Sequence, residues 1–200
     1  MHITPTNSKA HDDLEKRAIE YLRHEGFWVP PALTYHTQFP VAVVNKLQKT
    51  DTPGGWYLRT RADRIAIHKT KDLIFEWEVK THIREDKHDM CIEAFPLTVH
   101  VWNFKLLGVQ CLYLHHDITD GHECGFWVSE NIPIRGILIP ERWNSQDPDY
   151  FIRIFQQVFP GLRISLCGQV RGSNDPFVII DQSDRDLMPH WQDLIHELVL

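Results

Sequence analysis

The chain has 200 residues, 42% of them apolar and 24% charged, so it is long enough to bury one core and too apolar for a disordered protein. No run of eighteen apolar residues predicts a membrane span, and the polar start has no signal-peptide pattern, so we expect a soluble, cytoplasmic protein without a membrane partner. Four scattered cysteines without a CxxC pair predict free thiols rather than disulfides.

The net charge of −6 argues against binding of nucleic acid through an overall positive field. The charge is unevenly distributed, because residues 46–87 carry ten of the 21 Lys and Arg residues against seven acids. The segments 88–140 and 141–200 are both acidic. The basic excess therefore lies in the segment that also contains the two strands described below.

The first predicted element is a helix with the sequence DDLEKRAIEYLRHEG, capped by Asp12 or Asp13 and ended by Gly26. At 100° per residue the apolar side chains form one arc. Glu15 falls inside that arc, whereas Glu20 points to solvent. Glu15 therefore needs a partner for a carboxylate at the edge of the core.

The next segment predicts a short strand at FPVAVV between loops, followed by two strands, WYLRTRADRIAIH and DLIFEWEVKTH. The polar connector KTKD joins these two strands as a hairpin. The run PLTVHVWNFKLLG follows, with Pro96 as a candidate first helical residue and Gly108 as a candidate cap. Its early residues alternate in polarity, so its type stays open.

The run VQCLYLHH predicts a strand covered on both faces, and GFWVSE is a candidate to pair with it. The last third predicts a strand at IRGILIP, a helix within DPDYFIRIFQQVF, and strands at RISLCGQV and PFVIID. A closing helix is predicted at SDRDLMPHWQDLIHELVL, where Ser183 and Asp186 resemble a capping box.

Three charges interrupt the two apolar strands of the predicted hairpin. Side chains alternate along a strand, so Glu78 and Lys80 share one face while Trp77 and Val79 share the other. Asp63 lies on the preceding strand, about 4.8 Å away, so Asp63 and Glu78 can bind one hard cation. Carboxylates and a backbone carbonyl favour magnesium over zinc. With a lysine to orient water, this set predicts phosphodiester hydrolysis.

The order of Asp63 followed by Glu78-Val79-Lys80 resembles the PD-(D/E)XK nuclease superfamily, in particular its small Holliday-junction-resolvase-like and restriction-endonuclease-like members. In such proteins a first helix carries a metal-site glutamate ahead of a Gly-Phe pair, which corresponds here to Glu15. This chain departs from the pattern at Ala62, where the family often has proline.

The resemblance implies an α/β fold with a restriction-endonuclease-like core, a central mixed β-sheet flanked by helices. The core would span residues 1–129 with an insertion at about 28–56, and residues 130–200 would form a C-terminal α+β extension packed on it. The resemblance also allows a homodimer.

The implied activity is that of a hydrolase, a nuclease that uses Mg²⁺ or Mn²⁺ to cleave nucleic acid, with DNA as the expected partner. Asp63, Glu78, the backbone carbonyl of Val79 and Glu15 would bind the metal, and Lys80 would position the attacking water. Arg59 and Arg61 share the face of Asp63 by strand alternation, which makes them candidates to hold phosphates.

Several alternatives stay open. Asp63, Glu78 and Lys80 would also suit an exposed hairpin edge with a cross-strand ion pair, and Arg59 and Arg61 would suit plain surface charge. Glu15 would equally suit an ion pair with a neighbouring Lys or Arg, without contact to a metal. The domain would then be a non-catalytic interaction module for nucleic acid or protein. A nuclease directed to RNA or to branched junctions is a second alternative.

Histidines add two further hypotheses. The first is a zinc site formed by four residues of one predicted hairpin loop and its strands, namely His115, His116, His122 and Cys124. The second is that other histidines approach the acidic site, namely His82, His88 and His100. A structural role is favoured for each.

Overall fold

The structure is a computed structural model that describes residues 5–31, 40–48, 52, 55, 60, 62–82, 89–141, 148–162, 165–170 and 175–200. Its helices are α1 (Pro5–His24), α2 (Val41–Gln48), α3 (Ala94–Leu107), α4 (Pro148–Val158), α5 (Gln182–Arg185) and α6 (Trp191–Val199). Its strands are β1 (Phe27–Trp28), β2 (Arg64–His68), β3 (Ile74–His82), β4 (Met90–Glu93), β5 (Cys111–Asp117), β6 (Glu123–Trp127), β7 (Ile134–Pro140), β8 (Leu166–Val170) and β9 (Phe177–Ile180).

Helix α1 begins seven residues before the predicted start, so the predicted N-cap at Asp12 or Asp13 is wrong. Proline suits the first position of a helix, because its missing N–H would have no partner there, and Pro5 occupies that position. The predicted end is confirmed. Gly26 has a φ of 92°, and its N–H donates to the carbonyl of Arg23 at 3.2 Å.

Helix α2 occupies the segment that predicted a short strand, so that prediction is wrong. The run of valines favours a strand locally, but a strand is stable only when a neighbour satisfies its backbone groups. Here the N–H of Val43 donates to the carbonyl of Pro40, which closes a helical turn instead. Val41 and Val43 are exposed, so packing does not select a strand either.

The predicted hairpin forms the middle of a five-stranded sheet with the order β1-β2-β3-β5-β6. β3 and β5 are parallel, and the other neighbouring strands are antiparallel. The hairpin of β2 with β3 and the pairing of β6 with β5 are both confirmed. Between β3 and β5 the chain passes through β4 and α3, which brings these two elements to one face of the sheet.

The segment whose secondary structure could not be predicted from the sequence forms helix α3. It begins at Ala94, two residues before Pro96, and ends at Gly108, whose φ of 69° and bond to the carbonyl of Phe104 confirm the predicted cap. The predicted closing helix is divided into α5 and α6. The capping box at Ser183 is wrong, because Asp181 is the N-cap and its carboxylate accepts from the Ser183 N–H at 3.1 Å.

A second sheet has the order β4-β9-β7-β8, with β7 and β8 parallel. Strand β4, which precedes residue 129, pairs with β9, which follows it. The segment predicted as a C-terminal extension therefore shares a sheet with a strand of the predicted core.

Two apolar clusters lie on the two faces of the five-stranded sheet. On one face, α1 and α6 bury the residues Leu14, Ala18, Leu22, Trp77, Val79, Leu112, Leu114, Trp191 and Ile195. On the other, α3, α4 and the second sheet bury the residues Ile92, Leu97, Val101, Tyr113, Cys124, Phe126, Ile137, Phe155 and Val178. A side chain at Gly125 would lie 2.9 Å from Trp191 Cβ, so glycine permits the close approach of α6.

These layers confirm the predicted α/β class, with a central mixed sheet and helices against it. None of the described helices has both the length and the apolar character of a membrane span.

Candidate active site

The carboxylates of Asp63 and Glu78 are held next to each other by reciprocal hydrogen bonds. The N–H of Asp63 donates to Glu78 Oε2 at 3.0 Å, and the N–H of Val79 donates to Asp63 Oδ2 at 3.1 Å. Asp63 directly precedes β2, whose first residue, Arg64, is paired with Trp77 of β3. The antiparallel register thus brings together the two acids that the strand pattern placed on one face.

Lys80 lies between two carboxylates on the same face. Its Nζ is 2.8 Å from Glu78 Oε1 and 2.7 Å from Glu93 Oε2. Glu93 ends β4 and immediately precedes α3. Together with Asp63, the ionised site would carry three negative charges against one positive charge. A cation would relieve this excess, because unpaired buried carboxylates repel each other.

The role of Glu93 was not predicted from the sequence. It lies thirteen residues after Lys80, and its only local signal is an acid directly before a helical run. The contact depends on how β4 pairs with β9, which is a long-range property.

The protonation of this site follows from burial and from the crowding of carboxylates. Burial, followed by repulsion from Glu78, raises the pKa of Asp63 to about 7. Burial also raises the pKa of Glu78, against the opposing effect of Lys80. For Lys80, burial would lower the pKa, but Glu78 and Glu93 outweigh it and keep the pKa above its ordinary value. Lys80 therefore stays protonated and acts as a hydrogen-bond donor.

The donor set fits a hard divalent cation. Asp63 and Glu78 offer carboxylate oxygens, which Mg²⁺ and Mn²⁺ accept readily. The peptide of Val79 lies at the same point of the sheet, since its N–H already contacts Asp63. Asp63 and Glu93 are about one-third exposed, with side-chain exposures of 28% and 32%. The site is thus open to solvent on one side.

Glu15 lies on α1 and is partly buried, as the helical arc predicted. Its Oε1 accepts a hydrogen bond from Arg64 Nε at 2.7 Å, and Arg64 also donates to the carbonyl of Pro30 at 3.2 Å. Arg64 is the first residue of β2 and directly follows Asp63. The bond to Arg64 therefore holds Glu15 next to the chain segment that carries Asp63.

His11 extends the site onto α1. Its Nε2 is 3.9 Å from Asp63 Oδ2, which is too long for a hydrogen bond. His11, Asp12 and Glu15 also offer ligand atoms within 4.8 Å of one another. His11 was not predicted as a site residue, because the predicted helix begins after it, at Asp12 or Asp13. With the observed start, His11 and Glu15 are four residues apart on one helix face.

A buried polar pair, His100 and Tyr113, contacts the backbone that leads to Asp63. His100 Nε2 lies 2.8 Å from the carbonyl of Thr60, and His100 Nδ1 lies 2.8 Å from the Tyr113 hydroxyl. A carbonyl only accepts, so Nε2 carries the proton and Nδ1 accepts from Tyr113. Burial lowers the pKa of His100 to about 4, so the imidazole is neutral. The pair fixes the backbone three residues before Asp63.

The four-residue zinc hypothesis is wrong. His115 and Cys124 are cross-strand partners, but His116 lies on the opposite face and pairs with Glu123 Oε1 at 3.2 Å. Within the described part of the chain, the metal-like grouping is that of α1, not this one. His82 is buried two residues beyond Lys80 on β3. Arg59, Arg61 and His88 lie outside the described residues.

A solved structure of Hjc from Archaeoglobus fulgidus, a Holliday junction resolvase from an archaeal hyperthermophile, is similar to this chain. The TM-score is 0.45, the sequence identity is 12%, and the alignment covers 92% of this chain and 98% of Hjc. No known protein family and no curated protein matches the sequence.

Proposed function

We propose that this protein is a metal-dependent nuclease that hydrolyses phosphodiester bonds in nucleic acid, with DNA as its substrate. The best support is that Asp63, Glu78 and Lys80 contact one another in a site that is open to solvent on one side. Two carboxylates held in place by hydrogen bonds can bind a metal ion. The protonated ammonium beside them can stabilise negative charge on the phosphate. An ordinary surface ion pair would need neither a second carboxylate nor burial.

Asp63, Glu78 and the carbonyl of Val79 would hold Mg²⁺ or Mn²⁺, and Glu15 and His11 would assist from α1. A bound divalent cation lowers the pKa of a coordinated water and neutralises charge on a phosphoryl oxygen.

Lys80 contributes a fixed positive charge. Since its pKa lies above the ordinary value, it cannot serve as a base near neutral pH. Instead its ammonium donates hydrogen bonds, which would orient the attacking water and stabilise the charge that develops on the phosphate. The water oxygen adds to phosphorus and its proton passes to solvent, while the bond to the sugar oxygen of the leaving strand breaks and that oxygen takes a proton from solvent. Arg59 and Arg61 would hold neighbouring phosphates.

The test is cleavage of supercoiled plasmid, labelled linear DNA, branched DNA and RNA with Mg²⁺, Mn²⁺ or EDTA. The natural protein is compared with Lys80→Ala, Asp63→Ala and the control Lys69→Ala, a lysine exposed in the turn between β2 and β3. Circular dichroism establishes that each variant is folded. We expect metal-dependent cutting that only the two site variants abolish.

The four substrates decide between DNA, RNA and branched junctions. If the natural protein cuts none of them, or if the site variants cut as well as the control, the catalytic proposal fails. The non-catalytic interaction module then replaces it.

A further inference from the structure

A cavity of about 310 Å³ opens between α1 and the segment that follows β1. Three basic residues line it, Lys16 and Arg23 from α1 and Arg64 from β2. Lys16 and Arg23 are seven residues apart on the helix, so their side chains lie on one stripe. Within the described part of the chain neither forms an ion pair, whereas Arg64 is bonded to Glu15.

The remaining lining is mostly apolar. Ile19, Val29 and Pro30 provide the floor, and Glu20 adds one exposed acid. Because Arg64 is paired with Glu15, two uncompensated cations, Lys16 and Arg23, face one lining acid, which leaves the cavity weakly basic in a chain whose net charge is −6. A ligand with an anionic part and a flat, weakly polar part would match this combination.

The cavity adjoins the acidic site. Arg64 directly follows Asp63, and α1 runs from His11, beside Asp63, to the cavity. Five residues separate His11 from Lys16, which is about 7.5 Å along the helix at 1.5 Å per residue. This distance is within one to two nucleotides of a DNA strand, whose rise along the helix axis is about 3.4 Å per nucleotide.

We propose that this cavity binds a nucleotide of the substrate strand next to the scissile phosphate. Its phosphate contacts Lys16 and Arg23, and its sugar or base lies against Ile19 and Pro30. The inference rests on the proposed nuclease function, for which it defines the path of one strand away from the metal site. Glu20 is unfavourable to this ligand, since its carboxylate repels phosphate.

The test is binding of fluorescently labelled single-stranded and duplex DNA to the full chain in EDTA, over a range of salt concentrations. We expect the double variant Lys16→Gln/Arg23→Gln to raise the Kd about tenfold and to reduce the slope of log K against log salt by about 1.4 to 1.8. The control Lys69→Gln/Arg153→Gln removes the same charge from exposed positions outside the cavity. Its Kd should rise by less than about twofold.

The variant Glu20→Gln provides a second measurement, because it should tighten binding about threefold by removing the repelling carboxylate. A gain in affinity cannot arise from misfolding. If the cavity variant and the control weaken binding equally, or if Glu20→Gln leaves the Kd unchanged, the cavity is not the binding site.

Cleavage kinetics separate this proposal from the proposed function. The cavity variant should raise KM while kcat stays near that of the natural protein, since Lys16 and Arg23 do not contact the reacting atoms. Cutting that depends on Lys80 but does not respond to the cavity variant would overturn the cavity proposal and leave the nuclease intact. Absence of both cutting and DNA binding by the natural protein would overturn the nuclease first, and the cavity proposal with it.

Discussion

The two faces of β3 differ sharply in character, one apolar and one charged. On one face Trp77 and Val79 are at most 1% exposed and pack against α1 and α6. On the other, the buried Glu78 forms a charged network with the partly buried Lys80 and Glu93. The first face supplies packing energy. On the charged face, burial of charges costs desolvation free energy, and the fold does not require these charges. Such arrangements are typical of functional sites.

The largest expected effect is on the charged face. Lys80→Ala should reduce the rate of nucleic acid cleavage about 100- to 1,000-fold, because the developing phosphate charge loses its fixed donor. Single-turnover cleavage at saturating metal measures this, with Lys69→Ala as the control. A variant that keeps more than a tenth of the natural rate while remaining folded would contradict the role given to Lys80.

Trp77 and Glu78 are neighbours in sequence, but substitutions at them should affect different properties, chiefly stability at Trp77 and chiefly cleavage at Glu78. Trp77→Ala should lower the free energy of unfolding by about 3–5 kcal/mol, because it leaves a cavity beneath α1. Glu78→Gln keeps one of the two acceptor oxygens and loses the other, so stability should fall by less, about 1–2 kcal/mol, while cleavage is lost. Urea denaturation and the cleavage assay on both variants measure the contrast. Equal losses of stability would mean that the charged face is also part of the structural core.

The charged face should make stability depend on pH. Asp63 has a pKa of about 7 in the folded protein and an ordinary, lower value when unfolded. The folded state therefore binds this proton more tightly, and the stability it contributes at low pH is lost as pH rises from about 4 to 7. In EDTA, the natural protein should lose about 2–3 kcal/mol more than Asp63→Asn between pH 5 and pH 8.

Denaturant titrations at the two pH values measure this difference. Added Mn²⁺ should reduce the loss in the natural protein and not in Asp63→Asn. A stability difference between the two proteins that does not change with pH would show that Asp63 ionises normally.

The smallest effect concerns the choice of metal. Imidazole suits transition metals better than Mg²⁺, so His11→Ala should weaken Mn²⁺ binding several-fold and Mg²⁺ binding less. Isothermal titration calorimetry on the full chain measures both affinities, with the exposed His24→Ala at the end of α1 as the control. If the ratio of the two affinities does not change, His11 is not a ligand.

The chain order of acids and lysine was enough to predict that Asp63, Glu78 and Lys80 come together. Strand alternation fixes the face on which each side chain lies, and a short connector fixes the antiparallel register of neighbouring strands. The partial burial of Glu15 follows in the same way from the period of a helix. The ends of two helices could be predicted at Gly26 and Gly108, because a left-handed backbone conformation favours glycine.

Tertiary structure decided what completes the site. Glu93 reaches Lys80 only because β4 pairs with β9, more than eighty residues later in the chain. His11 faces Asp63 only because α1 extends to Pro5, and Glu15 bonds to Arg64 only because α1 packs across the sheet. Local sequence fixes the periodicity and direction of side chains within an element, whereas long-range pairing and packing fix which elements meet. The sequence by itself therefore determined the pair of acids and the lysine, and the fold determined their neighbours.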